Sequence, residues 1–143
     1  MMRLVSAALL LSALLVPSAG AAAADLRVVV EGLRTDKGHV EFALYDKAET
    51  FPDRAGVIEG GHAKIMGGRA VYVFQSLKPG RYAVTLFHDE NDDGKFNRSL
   101  IGLPLEGYGF SNDAKVMLGP PSFDKAAFDV GETGATITIH IVY

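Results

Sequence analysis

The chain has 143 residues, no cysteine, no tryptophan and a formal net charge of −3. Without cysteine there is no disulfide framework, no thiol catalysis and no thiolate metal site. An acidic chain that lacks a basic stripe also excludes nucleic acid as the expected partner.

Met1-Met2-Arg3 opens the chain with one positive charge, and Leu4 to Val16 is an apolar run interrupted only by Ser6 and Ser12. Pro17-Ser18-Ala19-Gly20 ends it, and Ala21 to Ala24 supplies small residues before Asp25. This is the pattern of a secretory signal peptide, read as residues 1–24 with cleavage near Ala24. The run is too short to cross a hydrocarbon core, which takes roughly 20 residues. The expected product is a periplasmic or secreted protein with no membrane span after cleavage. Residues 25–143 suit one domain that buries a core unaided.

Strand patterns follow in chain order. Val28 and Val30 alternate with Arg27, Val29 and Glu31, and Val40, Phe42 and Leu44 alternate with Glu41, Ala43 and Tyr45. Asp36-Lys37-Gly38 between them reads as a hairpin turn. Lys47 to Arg54 predicts a helical turn or two. A weaker strand lies around His62 to Met66, flanked by Gly60-Gly61 and Gly67-Gly68. Ala70, Tyr72 and Phe74 share one face of the next strand, and Tyr82, Val84 and Leu86 share one face of another. Between them Pro79-Gly80 predicts a type II turn, with Gly80 at positive φ. Tyr82 is placed to bond its hydroxyl to backbone upstream, as a tyrosine corner does. Ser122 to Phe128 predicts a short helix with Ser122 as N-cap, and Ile137, Ile139 and Ile141 close the chain against Thr136, Thr138 and His140. The fold class is therefore all-β. We expect a single antiparallel β-sandwich of about seven strands, transthyretin-like or immunoglobulin-like, with one long loop and one or two short helical turns.

The long loop runs from Asp89 to about Lys115, and loops of more than roughly 12–15 residues are commonly functional. Its first part, Asp89-Glu90-Asn91-Asp92-Asp93-Gly94-Lys95-Phe96-Asn97, has the D-x-N-x-D-G spacing of a calcium loop. Oxygen donors on alternate residues converge on a hard cation while Gly94 makes the turn. The candidate Ca²⁺ ligands are the side chains of Asp89, Asn91 and Asp93, the carbonyl of Lys95, and Asn97 through water. Glu106 or Asp113 would complete the set from elsewhere, because Leu100 stands where an EF-hand has its bidentate Glu. The same composition also suits a plain solvated turn. Further on, Glu106, Tyr108, Phe110 and Asn112 could cradle a small polar ligand or a protein partner, and the two aromatics would equally serve as the small core of the loop.

A hydrolase would draw on His88 with the loop carboxylates, Asp89 and Glu106, and on Ser111. No nucleophile elbow and no histidine pair at ligand spacing supports it. His39 and His140 fall at strand positions expected to face solvent, and His62 follows a glycine pair. These read as surface residues. The balance favours a non-catalytic binding or scaffold module.

The segment Phe74-x-x-Leu77-x-Pro79-Gly80-x-Tyr82-x-Val84 resembles transthyretin-like and carboxypeptidase-regulatory-like sandwich modules. A more specific resemblance rests on Leu86-Phe87-His88-Asp89-Glu90-Asn91, Asp93-Gly94-Lys95 and Gly102-x-Pro104-x-Glu106-Gly107-Tyr108-Gly109-Phe110-Ser111-Asn112. Together with Gly38-x-Val40, Leu44-Tyr45, Phe51-Pro52, Phe123 to Phe128 and the closing Thr-Ile-x-Ile strand, these are similar to the bacterial family called domain of unknown function 2141. The resemblance covers nearly the whole mature chain. It implies export and a β-sandwich, and it assigns no catalytic residue or cofactor. One departure is Phe96-Asn97-Arg98, where many relatives carry a further acidic residue after the lysine.

Overall fold

A computed structural model describes residues 23–143. The signal-peptide reading therefore lies almost wholly outside the described residues. Ala24 already belongs to the fold, because it is buried and pairs with Leu77.

Eight strands form two sheets: β1 (Ala24–Glu31), β2 (His39–Tyr45), β3 (Glu59–Lys64), β4 (Arg69–Leu77), β5 (Gly80–Asp89), β6 (Tyr108–Phe110), β7 (Phe128–Val130) and β8 (Ala135–His140). The first sheet has the order β4-β1-β8 and the second β3-β2-β5-β6, with β7 also paired to β5. Their inner faces meet in one core that includes Leu26, Val28, Val30, Val40, Phe42, Leu44, Phe74, Val84, Leu86 and Ile139. Period-two alternation puts these residues on facing surfaces, and burying them drives the sheets together. The tyrosine corner forms as expected, with the Tyr82 hydroxyl donating to the Lys78 carbonyl at 2.8 Å.

Local geometry differs from expectation at several points. β8 runs parallel to β1, so one pairing in the sandwich is not antiparallel. β1 and β2 belong to different sheets, and residues 36–38 form a crossover between layers. The turn is held by the Asp36 carboxylate, which accepts the N–H groups of Gly67 and Gly68, both at 2.8 Å. Gly80 is not in the left-handed region, because it opens β5 opposite Val130. Ser76 carries the positive φ instead. Gly60 and Gly61 lie within β3 rather than before it, and a Cβ on Gly61 would fall 2.1 Å from the Tyr72 hydroxyl.

Lys47 to Arg54 resolves into two 3-10 turns, Ala48–Thr50 and Arg54–Gly56. One turn of helix, α1 (Phe123–Ala126), starts after Ser122, whose side chain makes no capping bond. A second apolar cluster of Tyr45, Ala83, Phe123 and Ala126 forms where α1 and these turns cover one end of the second sheet's outer face. The long irregular stretch is interrupted by β6. Gly109 is needed there, since a Cβ would lie 2.7 Å from Ile139 Cγ2.

Candidate functional site

The acidic loop leaves β5 at Asp89, and its first residue is fully buried. A buried carboxylate is tolerated only when hydrogen-bonded, and Asp89 meets that condition from its own loop. Its two oxygens accept the N–H groups of Asp93 (3.1 Å) and Gly94 (2.7 Å). Gly94 at φ +70° and Asp92 at φ +56° make this fold-back. The Asp93 carboxylate takes the Lys95 N–H at 2.8 Å and the side-chain amides of Asn91 (3.2 Å) and Asn97 (3.0 Å). The Asn97 amide, with the N–H groups of Lys95 and Asn91 beside it, holds the Asp93 carboxyl below the usual carboxylate value.

The polar ends of Asn91, Asp93 and Asn97 are thus gathered around one point, and Asp89 adjoins them through the Asp93 N–H, which it shares with Asn91 Oδ1 at 3.3 Å. Glu106, also buried, clamps the loop from across the fold. Its oxygens accept the N–H groups of Glu90 at 3.1 Å and Asn97 at 2.9 Å. Asp113 is elsewhere, with its carboxylate bonded to the His140 N–H (2.8 Å) and ring Nδ1 (2.7 Å).

His88 faces the core side of β5 and is completely buried. Its Nε2 lies 2.7 Å from the Lys37 carbonyl and its Nδ1 2.7 Å from the Tyr143 hydroxyl. A carbonyl only accepts, so the proton is assigned to Nε2 and the Tyr143 O–H donates to Nδ1. The Tyr143 oxygen in turn accepts the Arg34 N–H at 3.1 Å. Arg34 also grips Glu90 with two bonds, 2.8 and 2.6 Å, and lies 4.3 Å over the Tyr143 ring. Both His88 nitrogens are used in joining three chain segments, and neither is presented to solvent. Ser111 is likewise buried, bonded to Val84 and Ala126 backbone.

The four residues read as a ligand cradle separate into three roles. Tyr108 and Phe110 lie on the outer face of β6 and line a groove of about 960 Å³ with Tyr45, Phe87, Phe96 and Met117. Glu106 belongs to the loop clamp, and Asn112 donates its side-chain amide to the Lys125 (3.2 Å) and Ala127 (2.8 Å) carbonyls, tying down α1. The groove edges carry exposed apolar side chains, Met117 and Leu118 among them.

Sequence reasoning passed over the neighbourhood of His39. This side chain is only part-exposed. Its Nδ1 lies 2.5 Å from Asp92 Oδ1, and its Nε2 lies 2.7 Å from Glu41 Oε1 and 3.7 Å from Asp89 Oδ2. Partial burial opposes its charge, but bonds to Glu41 and Asp92 prevail and raise it above the ordinary imidazole value. The available signal was the i, i+2 spacing of His39 and Glu41, which puts both on one face of a strand. The partner strands were not legible.

No curated protein and no solved structure matches the chain. A family model does match residues 28–138, from β1 into β8 and therefore across the acidic loop and the groove. By that match the chain belongs to the family described as "Uncharacterized protein conserved in bacteria (DUF2141)".

Proposed function

We propose that the chain is an exported, non-catalytic binding module whose loop, residues 89–97, holds Ca²⁺. The observation that carries this reading is the convergence of Asn91, Asp93 and Asn97, whose polar ends lie within 3.2 Å of one another, beside Asp89, whose Oδ1 shares the Asp93 N–H with Asn91 Oδ1. Rotating the two amides turns their oxygens toward the same point as the Asp93 carboxylate. Asp89 keeps a free lone pair on each oxygen beside its loop bonds. Hard oxygen donors in a turn shaped by glycine suit Ca²⁺. The burial of His88, with both nitrogens bonded, removes the best candidate for a general base.

Protein recovered from the periplasmic fraction, with its N-terminus near Asp25, should unfold at higher temperature in 5 mM CaCl₂ than in chelator. With the affinity of extracellular modules, the stabilisation is about 1–2 kcal/mol, a rise of roughly 3–12 °C. Asp93→Ala, at an exposed position, should abolish the rise, and MgCl₂ should not reproduce it. Equal melting temperatures with and without calcium would reduce the loop to a self-bonded turn.

The groove supports a second reading, in which a partner segment bearing apolar and acidic side chains docks on Tyr108 and Phe110. Three lining cations, Arg54, Lys95 and Arg98, make no ion pair among the described residues, whereas the lining Glu41 is bonded to His39. The anionic aromatic probe bis-ANS has the chemistry of such a partner. Its fluorescence should rise with the wild type and fall several-fold for Met117→Ser/Leu118→Ser and for Lys95→Ala/Arg98→Ala. Equal signals would remove this reading.

A further inference from the structure

The outer face of the second sheet brings together four side chains of metal-ligating type from three strands. β2 places His39 and Glu41 on that face, two residues apart. β3 sets His62 opposite Glu41, and β5 sets Asp89 opposite His39. One donor atom from each of His39, Glu41 and Asp89 lies within 4.8 Å of the other two. The His62 ring stands edge-on to His39 with centroids 5.3 Å apart.

We propose that His39, His62, Glu41 and Asp89 form a transition-metal site of the zinc class, which shares Asp89 with the calcium loop but uses none of Asn91, Asp93 and Asn97. Two imidazoles and two carboxylates are donors for a borderline divalent ion, and imidazole is not a ligand that calcium selects. Tetrahedral bonds of roughly 2.0–2.1 Å set neighbouring ligand atoms roughly 3.3 Å apart. The 2.7 and 3.7 Å separations around His39 Nε2 straddle that value. Asp92 bonds the other ring nitrogen, which is the outer contact that orients a metal-binding histidine and points Nε2 at the ion. Binding displaces the proton that Nε2 shares with Glu41. An imidazole held between Glu41 and Asp92 would account for His39 alone. It leaves unexplained why the sheet register also brings His62 and the buried Asp89 to the same patch.

The proposal does not rest on calcium binding, and its test keeps the two apart. Zn²⁺ is titrated calorimetrically into the full mature protein in calcium-free buffer, and Co²⁺ is titrated with visible absorption as readout. One equivalent of Zn²⁺ should bind, and Co²⁺ should show the intense visible bands of a four-coordinate site. His39→Ala and His62→Ala should each weaken Zn²⁺ binding about 100-fold or more. Asp92→Asn should weaken it about 10- to 100-fold, and Asp93→Ala should leave it unchanged. His62 is exposed and His39 part-exposed, so the variants are expected to fold, and matching melting temperatures in chelator establish that they do. Absence of Zn²⁺ binding by the wild type would overturn the proposal, as would wild-type affinity in His39→Ala or His62→Ala. Loss of affinity in Asp93→Ala equal to that in His39→Ala would overturn the exclusion of Asp93 from the zinc site.

Discussion

Gly38→Ala is expected to destabilise the protein by roughly 2–6 kcal/mol and to remove cation binding at the Asp89 end of β5. Gly38 sits at φ +66°, where a side chain is strained, and an added Cβ would fall 1.8 Å from the Asp89 carbonyl oxygen and 3.0 Å from Glu90 Cα. The obstacle is backbone, so no rotamer change relieves it. Left-handed strain costs about 1–3 kcal/mol and overpacking a further 1–3 kcal/mol. To admit the methyl group, the crossover at residues 36–38 must move away from the end of β5. That movement also pulls the Lys37 carbonyl from His88 Nε2. Urea unfolding of the variant, read beside Ca²⁺ and Zn²⁺ titrations, checks both parts. A loss below about 1 kcal/mol would mean that the crossover yields far more easily than its contacts imply.

Ser111→Ala is expected to cost about 2–6 kcal/mol although it removes a single oxygen. The Ser111 hydroxyl accepts the Val84 N–H at 2.9 Å and donates to the Ala126 carbonyl at 2.6 Å. Ser111, Val84 and Ala126 are all fully buried. The variant leaves a donor on β5 and an acceptor on α1 with no partner, and each unsatisfied buried group costs about 1–3 kcal/mol. The loss should appear in urea unfolding as a lower midpoint with an unchanged slope. Amide exchange at Val84 should accelerate with it. Ser111→Gly should lose at least as much, because the hydroxyl and not the Cβ makes the connection. A loss below about 1 kcal/mol would show that water takes over the bridge.

These two positions illustrate what local patterns convey. Gly38 was visible as a turn residue, since turns at positive φ call for glycine. That it seats against Asp89, 51 residues away, was not visible. Ser111 stood out only as a nucleophile lacking the surrounding motif. Its role in joining β5 to α1 depends on the third dimension. His88 is similar: Lys37, Tyr143 and Arg34 converge on it from remote parts of the chain. Nothing in the residues around His88 announces that company. β6 escaped notice because three residues with glycines at positions 107 and 109 are too short for alternation to register.

Local spacing sufficed for the all-β class, the tyrosine corner and the set of oxygen donors in the acidic loop. Each of these depends on residues close together in the chain, where spacing alone sets which side chains meet. Long-range packing set β8 parallel to β1, buried Asp89 and Glu106 and opened an aromatic groove beside β6. It alone decided that His62 stands across from Glu41. Alternation says which residues share a face of a strand, but strands pair through backbone amides and carbonyls that every non-proline residue carries. The choice of neighbour is made by packing of the whole core, and with it the choice of which polar groups meet on the outer face.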